Sequence, residues 1–318
     1  MIMTNIADDC GPAGSSSRKL IFSGLIFGVF CIFHALVLRE SISRFESDAR
    51  DLVYEQAMAY ITANVPSEVA KWYTYFPKET AHINELDQDE DELIQHVRER
   101  LLVPPNNNNP EYYLDRPNVT DPSEGLAQTV SGLLGNMTKG FFIEAGALDG
   151  EVMSSTLLLE RYNEWTGILI EPDPLNFLDL LGKNRRSWLA PVCLSFLQKP
   201  IMVSFEQKLS LGRIQGAPGA RRPGLVDVQC VPLFSLLAAL NRTNVDFLSL
   251  DVEGSELDVL RTIPFGQIDI TVVSVEFNKI VEGRQALKDF MKRKGYKTLE
   301  GSEKTSWGKQ NYIFVKEK

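Results

Sequence analysis

The chain has 318 residues, 44% hydrophobic and 24% charged, a balance that suits one large α/β domain with appendages and excludes a disordered polymer. A formal net charge of -9 without a clustered Lys and Arg stripe argues against a nucleic-acid partner, because neutralising phosphates takes such clusters. The 4 cysteines show no CxxC or HxH spacing, so neither a disulfide scaffold nor a metal site is expected; the 3 histidines, His34, His82 and His96, lie ahead of the chemistry-bearing segment, which argues against a Ser/His/Asp hydrolase.

Residues 1–19 are small and polar, ending in Arg18-Lys19, and are expected to form a disordered cytosolic tail. Leu20–Leu38 then runs without a formal charge; as a helix it reaches about 28 Å, against a hydrocarbon core of ~30 Å, so one membrane span is expected over 20–38. The run is long for a signal peptide and no A-x-A site follows it, which favours an uncleaved signal anchor. Basic residues flank both sides, so charge counting does not orient it. The glycosylation sequons at Asn118, Asn136 and Asn241 all follow the span and point to a type II arrangement with a lumenal C-terminal part.

Residues 39–124 read as a helical stem and linker. The apolar spacing from Phe45 to Ile61 is too irregular for a coiled coil and suits a dimerising stalk or a monomeric helix ending at Pro66 equally. Glu85 to Glu92 carries six acids and no base, the signature of a solvated helix start, and Leu93, Ile94, Val97, Leu101 and Leu102 follow at helical spacing until Pro104-Pro105. The Asn106–Asn109 run marks an exposed connector, which places the start of the main domain, 125–318, near Gly125.

That domain is organised around Phe141–Asp173. The apolar run Phe141-Phe142-Ile143 reaches Glu144, then the turn Ala145-Gly146-Ala147 leads through Gly150 into a helical pattern: strand, tight turn, helix, the shape of a nucleotide cradle. A second apolar run, Gly167–Ile170, ends in Glu171, placed to bind ribose hydroxyls. Strands are expected at Trp188–Ser195, at the short edge Met202–Glu206, at Val226–Val231, and at Asp246–Leu250, which ends in Asp251-Val252-Glu253-Gly254. Either the two acids face the cradle across a switch point, or Asp251 caps the next helix. The loop Leu211–Gly224, with Arg213, Arg221 and Arg222, is a clamp for an anionic substrate or a surface excursion. Thr271–Glu276, Tyr296–Leu299 and Asn311–Val315 supply the last strands and a final hairpin.

FIEAGALDG, IEPDP, DFLSLDVEGSELDVL at Asp246–Leu260 and VEFN at Val275–Asn278 together resemble the FkbM-type branch of the S-adenosylmethionine methyltransferases. The resemblance implies a Rossmann-like class I methyltransferase fold, a mostly parallel seven-stranded sheet with a terminal antiparallel hairpin. It implies S-adenosylmethionine as cofactor, Glu144, Gly146 and Gly150 on its loop, Glu171 on its ribose, and Asp251 and Glu253 at the methyl-transfer centre. Gln88–Pro105 and Ser154–Glu160 further resemble the Star-type group of animal FkbM-like membrane proteins. That similarity implies endoplasmic reticulum and Golgi membranes, and a transmembrane growth-factor precursor as cargo in vesicle transport. Two functions follow: a transport scaffold of the secretory pathway, or an active O-methyltransferase. With Cys10 cytosolic and Cys31 in the membrane, Cys193 and Cys230 are the pair available for a lumenal disulfide, buried free thiols being the alternative.

Overall fold

A computed structural model describes residues 81–108, 111–219, 224–301 and 311–317, all within one contact unit, Tyr54–Lys318. The expected cytosolic tail, the span at 20–38 and the first half of the stem lie outside the described residues. Among the described residues, no helix is long and apolar enough to cross a membrane.

In chain order the strands are β1 (Phe141–Ala145), β2 (Thr166–Ile170), β3 (Trp188–Ala190), β4 (Cys193–Leu194), β5 (Ile201–Glu206), β6 (Arg213–Gly216), β7 (Leu225–Val231), β8 (Asn244–Leu250), β9 (Asp269–Glu276), β10 (Tyr296–Thr298) and β11 (Asn311–Lys316). Seven of them form one sheet in the order β10-β11-β9-β8-β1-β2-β3. β11 runs antiparallel to both β9 and β10, and every other pairing in this sheet is parallel. The central strands read FFIEA, NVDFLSL and DITVVSVE, near-continuous apolar runs, because a parallel sheet is covered on both faces.

The covering helices are α1 (Asp91–His96), α2 (Leu126–Leu133), α3 (Leu157–Asn163), α4 (Pro174–Gly182), α5 (Leu233–Ala239), α6 (Glu256–Thr262) and α7 (Arg284–Arg293). Alternation along β1 sends Phe141, Ile143 and Ala145 into a core shared with α1, α5, α6 and α7, and Phe142 into one shared with α2, α3 and α4. The start of α4 follows from its sequence: Pro174 needs no N–H partner in the first turn, and the Asp173 side chain accepts from Leu175 N at 2.9 Å.

Two expectations change. The stem was expected to run to residue 124, but Ile83, Leu93, Val97, Leu101 and Leu102 are all buried in the first core. Val103 bridges to Leu189, and Arg98 Nε donates to the Ala239 carbonyl at 2.8 Å. The apolar stripe behind the acidic run needs a partner and finds it in the helical layer containing α5; truncating Leu93 to Ala would cost on the order of 2–5 kcal/mol, as for any well-packed core leucine.

The second change is a sheet that periodicity did not reveal. Trp188–Ser195 is not one strand: it breaks at Pro191, which has no N–H for a ladder, so β3 stays in the main sheet while β4 enters a second sheet, ordered β4-β7-β5-β6. β5, expected as an edge, is interior between β7 and β6, and β6 occupies part of the expected loop.

Candidate functional site

β1 leads to β2 and β3 on one side of the sheet, and β8 leads to β9 on the other, so strand order reverses between β1 and β8. Connections leaving in opposite directions open a crevice at the carboxyl ends of the strands. A cleft lies there. Its floor is Ala145-Gly146 and Ile170-Glu171, its far side Asp251–Glu253, and its outer wall the second sheet, through Leu194, Phe205 and Ile214.

The ends of β1 and β8 meet at the floor. Asp251 N donates to the Ala145 carbonyl at 3.1 Å, and a Cβ at residue 146 would collide with the Asp251 carbonyl oxygen. Gly146 is also left-handed, at φ 84°, and its N–H, with that of Ala147, donates to the Ile170 carbonyl. The glycine is therefore demanded twice, by conformation and by the crossing of another strand's backbone.

Glu171 ends β2 and is 4% exposed. Its Oε2 accepts from Leu148 N at 2.8 Å and its Oε1 from Asp173 N at 2.9 Å, which leaves capacity for a ligand's hydroxyls. Burial pushes this carboxyl up to about 8, so near neutral pH it is largely protonated and can donate as well as accept.

Residues 144–298 match the family described as Methyltransferase FkbM domain. That segment is similar to a methyltransferase FkbM domain. A crystal structure of methyltransferase FkbM from Methylobacillus flagellatus KT is similar at 13% identity and a TM-score of 0.38, over 56% of this chain and 43% of that one. The chain thus spans less than half of that relative's length. A Burkholderia thailandensis 1,6-didemethyltoxoflavin-N1-methyltransferase, solved with 1,6-didemethyltoxoflavin and S-adenosylhomocysteine, is similar at 11% identity and a TM-score of 0.32, over 63% of this chain and 79% of that one. No curated protein sequence matches the chain.

Within this segment the expected site residues separate. Gly146, Glu171, Asp251 and Glu253 line the cleft. Glu144 also borders it, but its buried carboxylate accepts from Ser154 Oγ (2.9 Å), Ser155 N (2.7 Å), Ser155 Oγ (3.2 Å) and the Thr156 hydroxyl. It ties the cradle loop to the start of α3 and has little left for a ligand. Gly150 is not in the cleft: a Cβ there would strike Leu180, and its carbonyl accepts from Arg185, so it packs the loop against α4. Glu253 adopts φ 59° and forms an ion pair with Lys279, so of the two acids after β8 it is the less suited to accept a proton.

Sequence reading passed over Glu256, whose fully buried carboxyl accepts from Val252 N at 3.0 Å and Gly254 N at 3.1 Å and so fixes the loop carrying Asp251 and Glu253. Burial, with Asp251 nearby, raises it to about 7. Asp251, Glu256 and Glu276 bring carboxylate oxygens within 4.8 Å of one another. The spacing Asp-x-x-x-x-Glu across a strand end was the available signal.

Cys193 and Cys230 face each other across β4 and β7 and are disulfide-bonded, with Cys193 lining the cleft. Arg213 lies on β6 and pairs with Glu206 at 3.4 Å; Arg221 and Arg222 lie outside the described residues. Asn118, Asn136 and Asn241 are all exposed, the last two near the amino ends of β1 and β8, away from the cleft.

Proposed function

We propose that this chain is a membrane-anchored S-adenosylmethionine-dependent O-methyltransferase whose domain lies in the lumen of the secretory pathway. The observation that carries this reading is the cleft at the switch point, with Glu171 on one side and Asp251 on the other. Ile170, Leu194, Phe205 and Ile214 offer an apolar slot for a purine, and Glu171 would take the ribose hydroxyls. No Lys or Arg lines the cleft among the described residues, so no like charge opposes a sulfonium cation. S-adenosylmethionine, when bound, supplies an electrophilic methyl group on a sulfonium cation and leaves as a neutral sulfide.

The chain's part is positioning and one proton. Gly146 lets the β1 turn pass beneath Asp251, Glu256 holds the Val252–Gly254 loop, and Asp251 accepts the proton of an acceptor hydroxyl as its oxygen takes the methyl. Measuring methyl transfer tests this. Asp251→Asn should lower the rate by about 10²-fold or more with cofactor affinity kept, whereas Glu253→Gln should act weakly. Equal losses at both positions would contradict the assignment.

A second reading makes the domain a scaffold of the Star-type group, moving a transmembrane growth-factor precursor from the endoplasmic reticulum to the Golgi. The Cys193–Cys230 bond and the exposed sequon asparagines support an oxidising, glycosylating compartment, which serves either reading. Cofactor binding separates the two.

A further inference from the structure

A second cavity abuts the cleft at Gly146, Met153 and Asp251. It lies on the sheet face covered by α2. Its wall is a row set by strand register: Glu144 of β1 stands beside Ser249 of β8, which stands beside Ser274 of β9. Central strands of a doubly covered parallel sheet are expected to be apolar at such depth, and the residues one step below on the same face, Phe142, Phe247 and Val272, are. Ser249 and Ser274 are 8% and 1% exposed, polar side chains at positions where the pattern calls for apolar ones. Asn311 Oδ1, at the far end, is buried without a hydrogen-bond partner among the described residues. The charged residues lining the cavity, Glu124, Glu144 and Asp251, are all acids.

We infer that this cavity is the acceptor chamber of the reaction proposed above and takes an uncharged, polyhydroxylated molecule. The inference rests on the reading of the main cleft as the cofactor site. Ser249, Ser274 and Asn311 hold the non-reacting hydroxyls, and Asp251, which lines both cavities, takes the proton of the reacting one while its oxygen forms the new bond to the methyl carbon. An anionic acceptor is repelled by the acidic lining, and no Lys or Arg lines this cavity among the described residues to offset it.

The test uses the full chain loaded with S-adenosylhomocysteine and two probes, methyl glucoside and its uronic acid counterpart, followed by saturation-transfer NMR. The glucoside should bind and the uronate should not. Ser249→Ala and Ser274→Ala, made singly, should each weaken the glucoside several-fold, and together about tenfold, which is the loss of two ordinary hydrogen bonds. S-adenosylhomocysteine affinity should stay unchanged in all three variants, which also certifies their fold. Equal binding of the uronate, no binding of the glucoside, or glucoside affinity indifferent to both substitutions would overturn the acceptor chamber while leaving the cofactor site standing. A parent chain that binds no S-adenosylhomocysteine would overturn the cofactor reading itself, and the acceptor role with it.

Discussion

Gly146 and Asp251, 105 positions apart in the chain, share one point in space: the carbonyl oxygen of Asp251 occupies the place a Cβ on residue 146 would need. The turn after β1 and the end of β8 are therefore built as one piece, and the cleft floor cannot change at one without moving the other. Gly146→Ala should act on stability first, because it adds both a left-handed non-glycine residue and a backbone collision. A cost of at least ~2 kcal/mol is expected, read as a fall of roughly 4–8 °C in Tm for a domain of this size. An unchanged Tm with lost ligand binding would mean that the glycine serves the ligand alone.

Glu171 gives the domain a defined pH dependence. Its carboxyl stands at about 8 in the folded chain against 4.5 when unperturbed, so between these values the folded state holds the proton more tightly than the unfolded one. The stability this group contributes is complete below about pH 4.5 and is lost as pH rises through about 8. Glu256, raised to about 7, acts in the same direction over a lower window. Glu171→Gln should flatten the decline in Tm between pH 5 and pH 8.5 and leave the mutant relatively more stable at the alkaline end. A parallel decline in parent and mutant would contradict the buried, raised carboxyl.

The Cys193–Cys230 bond closes a sequence separation of 37 residues and fastens the second sheet beside the cleft. On the chain-entropy account such a loop is worth about 4 kcal/mol. Reduction, or the paired change to serine, should lower the denaturant midpoint accordingly and weaken ligands in the cleft, because Cys193 lines it. Peptide mapping of protein isolated from cells without reductant should recover a Cys193–Cys230 cross-linked peptide; two freely alkylated thiols there would count against lumenal placement as well.

Exposure of Asn118, Asn136 and Asn241 leads to an expectation for topology. With Lys19 cytosolic and the domain lumenal, endoglycosidase should shift the band, and changing each asparagine to Gln should remove one step of that shift. Protease added to intact microsomes should leave the domain whole. No mass change together with loss of the domain would reverse the topology.

Much of the main sheet was legible because its strands are apolar runs that end in acids or glycines, and local pattern suffices for that: β1, β2, β8 and β9 lie within one to two residues of expectation. What escaped depends on distant partners. The second sheet needs Pro191 to redirect the chain and Cys230 to meet Cys193, neither visible in periodicity. Family resemblance put Glu144 on the cofactor loop; its fate was decided by Ser154, Ser155 and Thr156 coming back to it. The burial of Leu93 and Val97 was hidden by the acids beside them, since a charged helix edge is compatible with either a solvated stem or a packed face.

The central claim is that the cleft between Glu171 and Asp251 holds S-adenosylmethionine, and calorimetric titration of the full chain with that molecule tests it most directly. We predict saturable binding at one site per chain, weakened about tenfold by Glu171→Ala, which removes two hydrogen bonds from a buried, largely neutral acid, worth roughly 0.5–1.5 kcal/mol each. No heat from the folded parent chain at millimolar S-adenosylmethionine would contradict it, and the domain would then stand as a scaffold that kept the fold without the chemistry.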